Sequence, residues 1–147
     1  MAFAHSQKHV GLYQKFGFWP RFLTAVMSKP LAQTGRVSGW SRYSEVKQNE
    51  RDSCLSACRE LTNAMYEGLD VGREIRPVDT QKLGDTVLLW DGARLAGLAV
   101  CHCGPDTEAG GGSCYVKFGA VRPGPDASQE FSTVSWMPAR LKSAKGK

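Results

Sequence analysis

Two apolar runs separated by a turn dominate the hydrophobic pattern. Val87, Leu88, Leu89 and Trp90 form the first, Asp91-Gly92 supplies a pair that tolerates positive φ, and Leu95 to Val100 form the return run. The pattern predicts a β-hairpin across Asp85 to Cys103, followed by a third strand at Cys114 to Val121. Gly104 to Ser113 holds Pro105 and Gly110-Gly111-Gly112 and reads as a flexible connection. A phosphate cradle needs N–H groups converging at a helix start; a strand pattern follows these glycines instead.

Upstream, helical spacing takes over. Cys54, Leu55, Cys58, Leu61, Met65 and Leu69 recur at three- and four-residue intervals. Asn49 offers a cap, Glu50 and Asp52 suit the first turn, and Gly68 lies near the stop. A second helical piece is expected over Val71 to Leu83, interrupted by Pro77. Trp40 to Val46 alternates large and polar side chains and predicts a short strand. At the start of the chain Leu12 and Phe16 share a helical face, and Gly17 suits the left-handed conformation that closes a helix. Leu23 to Met27 then predicts a strand ending near Lys29-Pro30, and the small polar residues 32–39 predict a linker.

Composition narrows the picture without deciding it. At 147 residues the chain holds one ordinary domain or two incomplete pieces, and its 41% hydrophobic and 22% charged content excludes wholesale disorder. The net charge of +5 comes from the end of the chain: without Arg140, Lys142, Lys145 and Lys147, 15 basic residues remain against 14 acidic ones. No basic face is interleaved with aromatics, so nucleic acid is not an expected partner. Nor is a membrane, because no run approaches the roughly 20 apolar residues of a span. Met1 to Val10 lacks the apolar core of a signal peptide, and the five cysteines are odd in number, which together suit a reducing cytoplasm.

Cys101-His102-Cys103, with Cys114 beyond, is the sequence's metal candidate. Strand alternation sends the two flanking cysteines to one face and His102 to the other, so no metal site is expected, and His102 is badly aimed to activate either thiol. Cys54 and Cys58 fit a packing face at helical spacing. Tyr13 sits one turn before the helix-ending glycine, where its phenol is either packed or directed into a cleft.

The segment Leu12-Tyr13-Gln14-Lys15-Phe16-Gly17-Phe18 resembles the Leu-Tyr-x-x-x-Gly-Phe motif near the C-terminus of the GNAT superfamily of acyl-CoA-dependent N-acyltransferases. There it is the last helix, and Phe18 to Pro30 matches the strands that follow. Trp40 to Pro123 resembles the first half of a second unit: a strand, two helices, a hairpin and a central strand ending Ala120-Val121-Arg122-Pro123. The resemblance implies an α/β (α+β) fold with a mixed, mostly antiparallel sheet and flanking helices, incomplete, as in a piece of a tandem protein. Its parts would be the tail of one unit at 1–31, the linker at 32–39, the head of another at 40–131, and a basic irregular tail at 132–147.

The same resemblance implies acyl transfer from acetyl-CoA to an amine on a small molecule or a protein. Tyr13 would be the general acid toward the leaving CoA thiolate, and main-chain groups near Ala120 and Val121 would hold the pantetheine arm. No acid lies in Cys114 to Val121, so no general base is named. After its central strand the family places Gln or Arg-x-x-Gly-x-Gly or Ala, whose N–H groups bind the CoA pyrophosphate. Here stands Gly124-Pro125-Asp126-Ala127-Ser128-Gln129-Glu130, with one glycine, a proline lacking its N–H, and two carboxylates. The expectation is therefore a partial acetyltransferase, or a silent remnant acting through interactions, with room for a homo-oligomer or a complementing chain. With Ser135 on a TCN codon, the codons for Val134 to Ala139, read two bases later, specify an apolar residue, then Leu, Val or Met, then Asp and Ala. That alternative suits an amphipathic helix, so a frame change between about Phe131 and Val134 is expected.

Overall fold

A computed structural model describes residues 7–19, 28, 30 and 39–136. The expected strand Leu23–Met27, the expected linker at 32–39 apart from Gly39, and the basic residues beyond 136 lie outside the described residues. The chain divides into two compact units, Met1–Pro30 and Leu31–Lys147.

In the first unit, helix α1 spans Gln7–Lys15. It closes as the glycine implied: Gly17 has φ +79°, its N–H donates to the Gln14 carbonyl, and the Phe18 N–H donates to the Tyr13 carbonyl at 3.1 Å. That pair of bonds is the Schellman closure, which satisfies carbonyls that the helix leaves open.

The second unit is α+β. Strand β1 (Trp40–Arg42) is followed by short 3₁₀ turns, helix α2 (Arg51–Met65), helix α3 (Gly72–Thr80), strands β2 (Gly84–Asp91), β3 (Arg94–Gly104) and β4 (Gly110–Val121), and helix α4 (Ala127–Trp136). Among the described residues the sheet runs β1-β2-β3-β4, every neighbour antiparallel. The strand expected over Trp40 to Val46 stops early because Tyr43–Glu45 turns into a 3₁₀ helix. Helix α2 begins after a 3₁₀ turn at Gln48–Glu50, with Glu50 rather than Asn49 at the cap.

The hairpin forms where the apolar runs placed it, with one shift. Asp91 pairs with Arg94, so Gly92-Ala93 are the central turn residues, and only Gly92 (φ +57°) takes a positive φ. A glycine at the first of two central positions suits the II′ class of turn, whose twist matches the flanking strands. The connection expected over Gly104 to Ser113 is shorter than its composition suggested. Gly104 pairs with Gly110, and the glycine run opens β4.

Each face of the sheet has its own core. Leu55, Cys58 and Leu61 of α2 and Ile75 and Val78 of α3 pack with Leu88, Leu98, Val100 and Ala120 on one face. Val134 of α4 joins Val87, Leu89, Ala99 and Cys101 on the other. Burying each such aliphatic side chain contributes about 1.5–3 kcal/mol. Residues 132–136, expected to be irregular, thus belong to a helix that docks on the sheet.

Docking of α4 depends on a missing side chain. A Cβ on Gly97 would lie 2.9 Å from Val134 Cγ2, 3.0 Å from Val121 Cγ1 and 3.2 Å from the Ala120 carbonyl oxygen. Both neighbouring side chains are stiff valines, so Gly97→Ala should cost about 1–3 kcal/mol in urea denaturation. Hydrogen exchange should show α4 loosening before α2.

Candidate functional site

Strands β1 and β4 both lack an outer neighbour among the described residues, and β4, with 12 residues against 3, is the longer edge that offers main-chain groups to a ligand. The Arg122 N–H donates to the Ala96 carbonyl at 2.8 Å, and Leu98 stands opposite Ala120. Antiparallel pairing alternates, so the main-chain groups of Ala120 face β3 while those of Gly119 and Val121 point to the open edge. Of the two residues the resemblance selects, Val121 has its backbone on that edge. Ala120 is buried, its side chain in the core under α2 and α3. Gly119 was not singled out in the sequence; the signal is the strand register, which appears only once β3 is paired.

The edge leads into the turn before α4. A hollow of about 150 Å³ lies there, lined by Arg122 to Ala127 together with Asp91, Arg94, Ala96 and Glu130. It is smaller than the roughly 300–1,000 Å³ of typical ligand pockets. Three carboxylates, Asp91, Asp126 and Glu130, face two guanidiniums, and Arg122 is already engaged. Its Nε donates to the Leu95 carbonyl and its Nη2 to Glu60 Oε1, both at 2.8 Å.

A pyrophosphate placed here would meet a poor cradle. Pro125 has no N–H, the Ala127 N–H donates to the Gly124 carbonyl at 3.2 Å, and the acids at the helix start compete with an anion for the dipole. The residues of this turn do not fit the phosphate end of acetyl-CoA.

Tyr13 belongs to the first unit. Its ring is half exposed and meets Phe18 edge-on, with centroids 6.3 Å apart and an interplanar angle of 87°. Leu12, Phe16 and Trp19 nearby are also exposed.

Comparison with known proteins finds no matching family model, curated protein or solved structure.

A second hollow, of about 510 Å³, was not foreseen. It lies between β1, the hairpin turn and the start of α2, with Trp90, Arg42, Glu45, Glu50 and Cys54 in its lining. The indole Nε1 donates to Ser41 Oγ at 3.0 Å. At its wall, a hydrogen bond from Cys58 lowers the Cys54 thiol below its usual range, while that bond and burial push Cys58 up. Cys54 is therefore the more acidic of the two, though both are buried.

The metal candidate is separated as alternation requires. Cys101 and Cys103 pack on the α4 face, and His102 points to the other. The His102 Nδ1 lies 3.9 Å from Glu108 Oε2, and its buried Nε2 has no hydrogen-bond partner among the described residues. Among the described residues no group of three or more His, Cys, Asp or Glu side chains converges on a metal position, and no helix is long and apolar enough to cross a membrane.

Proposed function

We propose that the chain is a degenerate GNAT-type N-acetyltransferase, silent by itself, whose second unit keeps the strand edge for an acyl-CoA arm but has lost the hold on its phosphates. The observation that supports this reading is the open edge at Gly119 and Val121, at the end of a strand that follows one strand, two helices and a hairpin. The inherited chemistry would be acyl transfer to an amine, with Tyr13 as the acid toward the thiolate. A cytoplasmic location goes with it, as does a partner, from a second copy or another chain, that completes the unit.

Calorimetric titration with acetyl-CoA tests the loss. Millimolar affinity or weaker is expected, which is about 4 kcal/mol or less of binding free energy. Micromolar affinity would overturn silence and revive an enzyme, which a thiol-release assay with amine acceptors would then read. Amide NMR at saturating acetyl-CoA tests the edge separately. Shifts should centre on Gly119 and Val121; shifts confined to other strands, or none, would remove the acyl-CoA reading.

A further inference from the structure

We propose that Cys103 and Cys114 form an oxidisable thiol pair, closed by hydrogen peroxide into a disulfide that staples β3 to β4. The two residues stand directly opposite each other in the antiparallel register, and their sulfurs are 3.0 Å apart. A disulfide bond is about 2.05 Å long, so the sulfurs need to approach by about 1 Å. Facing positions on antiparallel strands have Cα separations of about 4.5–5.5 Å, inside the range that a disulfide spans.

The surroundings permit that approach. Immediately beyond the pair the register breaks, Gly104 pairing with Gly110, and Gly110 and Gly112 both take positive φ. Glycines with no described residue around their Cβ positions let Cys114 move toward its partner. Access separates this pair from the other thiols: Cys54, Cys58 and Cys101 are buried, while Cys103 and Cys114 are partly exposed. A molecule as small as peroxide therefore reaches these two sulfurs first.

The chemistry balances in two displacements. One thiolate attacks the peroxide oxygen, forming an S–O bond as the O–O bond breaks and hydroxide leaves. The facing thiolate then attacks that sulfur, forming the S–S bond as the S–O bond breaks and water departs. Two thiols and one peroxide give one disulfide and two waters, the two electrons passing from sulfur to oxygen.

Mild peroxide treatment of the full chain, followed by mass spectrometry and peptide mapping, tests the pair. The intact protein should lose the mass of two hydrogens, and maleimide labelling under denaturant should fall from five thiols to three. The map should join Cys103 to Cys114, amides between them should exchange more slowly, and dithiothreitol should reverse every change. Cys103→Ser and Cys114→Ser should each lose no hydrogens; the map of the unmodified sequence decides the matter if either variant fails to fold. A link through another cysteine, a disulfide-joined dimer, oxygen addition in place of hydrogen loss, or five surviving thiols would overturn the proposal.

Discussion

Gly84→Ala is expected to destabilise the second unit by about 3 kcal/mol or more, at the upper end of what overpacking costs. A Cβ on Gly84 would overlap the Cys101 carbonyl oxygen and sit 2.9 Å from its carbon and 3.0 Å from His102 Cα. All three atoms are main chain of the neighbouring strand, so no rotamer change relieves the overlap. Either β2 and β3 part at this end, or the turn feeding β2 moves. Parting them breaks the Gly84–His102 and Asp85–Cys101 pairings and the bond from the Cys103 N–H to the Leu83 carbonyl at 2.8 Å. Moving the turn disturbs the closure of α3, where the Leu83 N–H donates to the Val78 carbonyl and Lys82 holds φ +56°. Urea denaturation followed by circular dichroism should show the lowered midpoint. Gly111→Ala, where no described residue lies within 4 Å of the added atom, should stay within about 0.5 kcal/mol of the parent. A Gly84→Ala protein as stable as Gly111→Ala would mean that the strand pairing at Gly84 is looser than the register implies.

Local signals carried much of this fold in the sequence. The apolar runs around Asp91-Gly92 specify the hairpin, and the spacing of Cys54, Leu55, Cys58 and Leu61 specifies the buried stripe of α2. The stripe ends before Met65, the last residue of the helix, which is half exposed. Two elements were hidden because their causes lie elsewhere in the chain. The glycine run at the start of β4 has little strand propensity; its pairing with the end of β3 makes it a strand. Helix α4 has no broad apolar stripe, yet it docks through Val134 near Gly97 and Phe131 over Gly119, so the complementary surface is two glycines on the sheet.

The candidate site divides in the same way. Its weakness was visible locally, since Pro125 and the carboxylates of Asp126 and Glu130 stand where an anion would need N–H groups. Its remaining strength was not, because which backbone groups of β4 reach the edge depends on the pairing of Ala96 with Arg122. A register shift in β4 opposite Val100 and Cys101 leaves Lys117 as the extra residue, and its ammonium lies 3.4 Å from Glu74 of α3. Bulges bend a strand locally, so the end carrying Gly119 and Val121 is angled independently of the end carrying Cys114. Stapling Cys103 to Cys114 should therefore leave the edge groups in place, and the peroxide and acetyl-CoA experiments can be read separately.

Asp79→Ala should cost about 2 kcal/mol at neutral pH, because it strands a cation inside the helical layer. The Arg51 Nη1 donates to Asp79 Oδ2 at 2.6 Å, Lys82 Nζ lies 3.3 Å from Oδ1, and the Asp79 side chain is only 9% exposed. The same guanidinium stacks 5.1 Å above the buried Tyr43 ring, whose phenol burial pushes up against the lowering effect of Arg51. Removing the carboxylate leaves Arg51 beside that ring without its short hydrogen bond, and unties α2 from α3. No spacing rule exposes a pair 28 residues apart. Burial alone would raise the Asp79 carboxyl, but hydrogen bonds from Arg51 and Lys82 outweigh it and hold the group below its usual range. The folded value is thus below the unfolded value of about 3.9, so the contribution is present in full above that pH and is lost as pH falls through the folded value. Denaturation of the parent and Asp79→Ala proteins at neutral pH and near pH 3 should show the gap narrowing on the acid side. The double variant with Arg51→Ala should lose less than the two single losses added, since each partner's removal already abolishes the pair. Additive losses, or a gap that widens in acid, would mean that Asp79 stabilises the layer through packing rather than charge.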